Sequence, residues 1–155
     1  MAYDAIAHGA RGILYWGTQT IDDPLFRESL YALTSELSQL EQFLVDAGQP
    51  VQVAVIDDLF DKPGLGVRGV LKKNRGDFLL ILVNEDDHRH LGVDVTQLEA
   101  LNSRALYLLY GDEKTVVRSG GIVTRMQPYE VKVFCTNPRF ETKRTMGRDY
   151  VDAGK

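Results

Sequence analysis

The stretch Leu40-Glu41-Gln42-Phe43-Leu44-Val45-Asp46-Ala47-Gly48-Gln49-Pro50-Val51-Gln52-Val53-Ala54-Val55 changes its apolar period midway. Upstream of Gly48, apolar residues recur at helical spacing: Phe26, Leu30, Leu33, Leu37, Leu40 and Leu44. Downstream of Pro50, Val51, Val53 and Val55 alternate with Gln52 and Ala54. A repeat near 3.6 residues marks one helix face, and a repeat of 2 marks one face of a strand. Gly48 and Pro50 are helix-stop residues. The chain therefore divides at residues 48/49 into a helical part and a β part.

Working back from the boundary, Asp23 suits a helix cap and Pro24 the first helical position. The Leu-rich stripe that follows suits a helix packed on a sheet or on another helix. It spans three heptads with few ordered flanking charge pairs, too little for a coiled-coil seam. Before it, Ile13-Leu14-Tyr15-Trp16 lies between Gly12 and Gly17. Four apolar residues without alternation suit a strand covered on both faces. Tyr3, Ile6, Ala7 and Ala10 suggest a first helix that stops at His8-Gly9. Residues 1–48 thus read as helix, strand, helix.

Working forward, strands are expected at Val67–Lys72, Phe78–Val83, Leu91–Val95, Ala105–Tyr110 and Tyr129–Phe134. Asn74-Arg75-Gly76-Asp77 is a turn, and Ser119-Gly120-Gly121 is a hairpin turn between Val116-Val117 and Ile122-Val123. Seven or eight short strands at this spacing indicate an antiparallel sandwich or barrel over residues 49–136. Residues 137–155 have few apolar positions and no period, and read as a flexible tail.

Composition narrows the function. The chain has 155 residues, 44% hydrophobic and 26% charged, with a net charge of −4. Residues 1–48 carry two basic against seven acidic residues, residues 49–136 eleven against twelve, and residues 137–155 five against three. No basic footprint for nucleic acid is present. No apolar run reaches the ~18 residues of a membrane helix. The single cysteine, Cys135, excludes a disulfide framework and a thiolate metal cage. No export signal follows Met1, and the localisation stays open.

A lone doubly covered strand makes no sheet by itself. Helix–strand–helix is a slice of an alternating α/β fold, whose strands need parallel neighbours. The segment Met1-Ala2-Tyr3-Asp4-Ala5-Ile6-Ala7-His8-Gly9-Ala10-Arg11-Gly12-Ile13-Leu14-Tyr15-Trp16-Gly17 resembles the last helix–strand step of glycoside hydrolase (β/α)8 barrels. Asp23-Pro24-Leu25 to Leu44 resembles their eighth helix. Gly76-Asp77-Phe78-Leu79-Leu80-Ile81-Leu82-Val83-Asn84 and Met126-Gln127-Pro128-Tyr129-Glu130-Val131-Lys132-Val133-Phe134 resemble strands of the antiparallel sandwich that often follows such a barrel. The fold class expected is therefore α+β: one slice of a barrel, then a β-sandwich. A complete barrel needs about 200–250 residues, so its upstream portion is expected to be missing from this chain.

The resemblance implies glycosidic hydrolysis through two carboxylates on strands that this chain lacks. It implies no catalytic residue here, and carbohydrate as the partner of the intact barrel. Trp16, at the end of the barrel strand, would stack on a sugar ring. Thr18 and Gln19, on the loop after it, would hydrogen-bond sugar hydroxyls. The alternative is a stand-alone sandwich that binds a glycan or a protein, its helices capping one sheet and Ile13–Trp16 pairing with it.

The remaining constellations carry less. Asp22 and Asp23 are adjacent and make a poor catalytic pair. Asp86-Asp87-His88-Arg89-His90 has metal-ligand types but lacks a further ligand and sits in a turn. Gly64-Leu65-Gly66-Val67-Arg68-Gly69 spells a dinucleotide fingerprint but runs into a strand rather than a helix. Asp57, Asp58 and Asp61 lack the spacing of a calcium loop. Cys135 suits a small core position, and Lys72, Lys73 and Arg75 a solvated strand edge. His8 is assigned no chemistry, and no metal or cofactor is expected.

Overall fold

The structure is a computed structural model, and it describes residues 1–15, 17, 21–56, 66–109 and 111–140. Among these residues three helices come first: α1 (Ala2–Ala7), α2 (Pro24–Gln39) and the short α3 (Glu41–Leu44). Nine strands follow among them: β1 (Gln49–Pro50), β2 (Gln52–Val55), β3 (Val67–Asn74), β4 (Asp77–Asn84), β5 (Leu91–Thr96), β6 (Ala105–Leu108), β7 (Lys114–Val116), β8 (Ile122–Met126) and β9 (Val131–Cys135). Six form one sheet in the order β1-β3-β4-β9-β6-β7, and three form a second in the order β2-β5-β8. Every strand pairing is antiparallel. The expected α+β fold class holds: a β-sandwich with a small helical part.

The six-stranded sheet is covered on both faces. Phe78, Leu80 and Leu82 of β4 join Phe134 of β9 and Leu91, Val93 and Val95 of β5 in the core between the sheets. Leu79, Ile81 and Val83 of β4 face the other way, into a second core with Tyr3 and Ile6 of α1, Leu40 and Phe43. A strand buried on both faces has no polar side to show, which is why Phe78–Val83 is an unbroken apolar run. The layers are helices, large sheet, small sheet.

The expected helix boundaries hold where local chemistry sets them. Asp23 Oδ1 accepts from Leu25 N–H at 2.9 Å and Phe26 N–H at 3.4 Å, so Asp23 caps α2. Within the stripe Phe26 is exposed, Leu30 and Leu40 are buried, and Leu33, Leu37 and Leu44 are half-buried. Gln49–Val55 passes from one sheet to the other, β1 pairing with β3 and β2 with β5. Gly69 of β3 permits that crossing, because a Cβ there would lie 2.4 Å from Val51 Cγ2.

Four expectations need correction. Ile13–Tyr15 forms no strand among the described residues and pairs with none, because no parallel neighbour of the kind such a strand needs is among them. The Ser119-Gly120 turn forms, with Arg118 and Gly121 exchanging two hydrogen bonds of 3.0 Å. The flanking strands then diverge, β7 to β6 and β8 to β5, so the hairpin spans two sheets instead of extending as a ladder. Asn137–Phe140 does not belong with the tail: Pro138–Phe140 is a 3-10 turn, and Phe140 is buried edge-on against Phe43 at 5.6 Å. Lys72 is no solvated edge residue but is 1% exposed, its Nζ donating to Asp46 O at 2.7 Å.

Candidate functional site

The residues expected to touch sugar, Trp16, Thr18 and Gln19, lie outside the described residues, as do Asp57, Asp58 and Asp61. Their described neighbours show how the segment is set. Ile13 packs partly against the helical core, Leu14 is 86% exposed, and Tyr15 is intermediate. Tyr15 lines an open cleft of about 330 Å³, shared with Arg11, Thr34, Leu37 and Glu41. Near the start of α2 three large apolar side chains are exposed at different points around the helix: Leu25, Phe26 and Tyr31 are 63%, 57% and 60% exposed.

At one end of the sandwich, the turn after β4 and the turn before β9 are tied together. Asn84, fully buried, donates from Nδ2 to Arg89 O at 3.0 Å and to Gln127 O at 2.8 Å. Its Oδ1 accepts from Asp86 N–H at 3.1 Å. Asp86 Oδ1 accepts from His88 N–H and Arg89 N–H, each at 2.9 Å, and Oδ2 from Arg89 Nε at 2.7 Å. Both Asp86 oxygens are thus engaged in shaping the turn, which accounts for the Asp86–His90 run without a metal.

At its other contact, this turn meets α1. His8 Nε2 lies 2.9 Å from Glu85 Oε1 and 3.5 Å from Asp4 Oδ1. Arg68 Nε on β3 donates to the same Glu85 oxygen at 2.8 Å. Burial pushes the Glu85 carboxyl up, but the hydrogen bonds from Arg68 and His8 outweigh it, leaving it below its ordinary 4.5. The backbone hydrogen bond from His88 holds Asp86 below its ordinary 3.8, against partial burial and helped by Arg89. Carboxyls lowered in the folded state stabilise it above their unfolded pKa, and that stabilisation is lost as pH falls through the folded value. The melting temperature is therefore expected to hold down to about pH 5 and then drop on further acidification. Glu85→Gln should flatten part of that acid limb in melts followed by circular dichroism. A limb unchanged by the substitution would refute the role given to Glu85.

Two buried amines escaped the sequence reading. Lys132 on β9 donates to Glu113 Oε2 at 2.7 Å and to Thr124 Oγ1 at 3.0 Å, bridging the two sheets. Lys72 packs beneath the loop after α3; burial lowers its pKa first of all, with Asp46 opposing and Arg11 adding to the shift. Cys135 is buried in the helical core, and burial pushes its thiol up to about 11. A thiol at that value supplies almost no thiolate at neutral pH, so Cys135 is a packing residue and not a nucleophile. The glycine run continues into β3 and not a helix, as its sequence context implied.

The fold and these contacts define an antiparallel β-sandwich domain with one sheet covered by helices. No protein-family profile matches the chain, and no curated protein matches it either. Solved structures do. AmyP in complex with maltose matches 83% of this chain and 24% of that chain, at 17% sequence identity and a TM-score of 0.50. An AmyP variant in complex with maltotriose matches 72% of this chain and 21% of that chain, at 16% identity and a TM-score of 0.46. At this identity the first likeness establishes the fold. This chain spans about a quarter of the AmyP chain.

Proposed function

We propose that this chain is the C-terminal part of a glycoside hydrolase-like, carbohydrate-related protein. The observation that carries this is the uncovered apolar surface of the helical unit. Ile13–Tyr15 has no strand partner among the described residues, and Leu14, Leu25, Phe26 and Tyr31 of the same helical unit are exposed. A surface of this kind suits burial against further protein. The fold likeness to a quarter of a protein crystallised with maltose supports the same reading.

In the intact protein, Ile13–Trp16 would be the last barrel strand and α2 its covering helix. Trp16 would stack on the sugar, with Thr18 and Gln19 bonding its hydroxyls. The two carboxylates that break the glycosidic bond would lie on upstream strands. The sandwich would pack on the barrel and hold its last repeat in place. Alone, this chain would hydrolyse nothing.

The coding DNA upstream of Met1 tests this first. An open frame of roughly 200 codons with strand–helix alternation is expected. The long product should hydrolyse aryl glycosides, and Trp16→Ala should raise its KM. The 155-residue chain should be inactive and should self-associate in light scattering. An in-frame stop just before Met1, together with a monomeric, cooperatively melting chain, would overturn the proposal and favour a stand-alone binding module.

A further inference from the structure

We propose that Asp4, His8 and Glu85 form a binding site for a zinc-like divalent cation, which clasps the helical layer to the sandwich. The proposal is independent of the carbohydrate reading. Asp4 in α1 and His8, the residue capping its C-terminus, stand four residues apart, on one side of the helix end. Glu85 follows the end of β4, on the other side of the joint between helices and sheet. The fold brings their ligand atoms within 4.8 Å of one another.

The distances suit a shared ion. His8 Nε2 is 3.5 Å from Asp4 Oδ1 and 2.9 Å from Glu85 Oε1. Around zinc, with bonds of about 2.0–2.2 Å at tetrahedral angles, neighbouring ligand atoms stand ~3.3–3.6 Å apart. The His8–Asp4 spacing falls in that range, and the His8–Glu85 spacing, now a hydrogen bond, would have to open by about half an ångström. One imidazole with two carboxylates is a borderline-hard donor set that accepts zinc.

Asp4 Oδ1 points the same way. That oxygen is covered from solvent and accepts no hydrogen bond, its 3.5 Å contact with His8 Nε2 being an ion pair only, although the rest of its side chain reaches water. A covered carboxylate oxygen without a donor is costly unless a cation joins it. Arg68 does not compete for the ion. It donates to Glu85 from the β3 side, and a carboxylate keeps further lone pairs for a metal. The His8 side chain is 48% exposed, so an ion can enter and water can complete its shell. The other His/Asp group, Asp86-Asp87-His88, is unlike this one because it holds no covered carboxylate oxygen without a hydrogen bond.

Calorimetric titration of the chelator-stripped full chain with zinc chloride at neutral pH tests the site. One zinc per chain is expected, with micromolar or tighter affinity, and cobalt(II) should give the visible bands of a tetrahedral site. Asp4→Asn and His8→Ala should each weaken zinc binding at least about tenfold. Arg68→Ala and His88→Ala should leave one bound zinc. Circular dichroism checks that each variant is folded, and Asp4→Asn alone decides the matter if His8→Ala is not. Absence of stoichiometric binding to the folded chain would overturn the proposal. So would binding that Asp4→Asn leaves unchanged.

Discussion

Truncating Phe43 to alanine is expected to cost about 3–5 kcal/mol. Phe43 is 1% exposed and sits where α3, α1 and the back of the large sheet converge. Phe140 meets its ring edge-on at 5.6 Å. Removing the ring deletes its transfer free energy and leaves a cavity that strands β4 and β9 are too rigid to fill. The loss also probes cooperativity. Tyr3, Leu40, Ile81 and Val133 share one core, so helices and sandwich should unfold together. Urea titration followed by circular dichroism should show a single transition at a lower midpoint. Two separated transitions, or a shift below about 1 kcal/mol, would mean that the helical layer is not part of the folding unit.

Asn84→Ala is expected to cost about 2–3 kcal/mol. The substitution removes the amide donor to two carbonyls, Arg89 O and Gln127 O, and the acceptor for Asp86 N–H. All three bonds converge on one fully buried side chain, so their loss is felt together. Asn84→Asp separates the causes. It keeps the acceptor but sets a carboxylate against the two carbonyl oxygens, and should be the more damaging of the two near neutral pH. If Asn84→Asp proved as stable as the parent, the amide donors would not be what binds the two turns. Chemical denaturation of both variants is the measurement.

Much of this architecture was legible along the chain, and the reasons are local. Asp23, Pro24 and the leucine stripe announced α2, because capping and one-sided burial act within a few residues. The alternation at Leu91–Val95 matches β5, whose inner face is buried and whose outer face is more polar. The Gly64–Gly69 pattern could be set aside because the strand that follows it was readable. Other features depended on distant partners. Lys132 alternates as an outward residue should, yet Glu113 and Thr124 satisfy its amine under cover. Lys72 looks like a charged edge, yet the loop after α3 closes over it. Phe140 sits in a polar stretch, and only the position of Phe43 makes it a core residue. His8 and Glu85 are 77 positions apart, and no spacing rule joins them.

By itself, the sequence determined most of the helical and strand segments, Ile13–Tyr15 apart, and where the two kinds of segment meet. Those properties follow from side-chain period, caps and composition, which each segment carries independently of its neighbours. Only the tertiary structure decided which strands share a sheet, which amines are buried with partners, and that α1 brings Asp4 and His8 onto Glu85. Such juxtapositions are set by burying two apolar faces of one sheet at once, and that condition is satisfied by the whole chain rather than by any stretch of it.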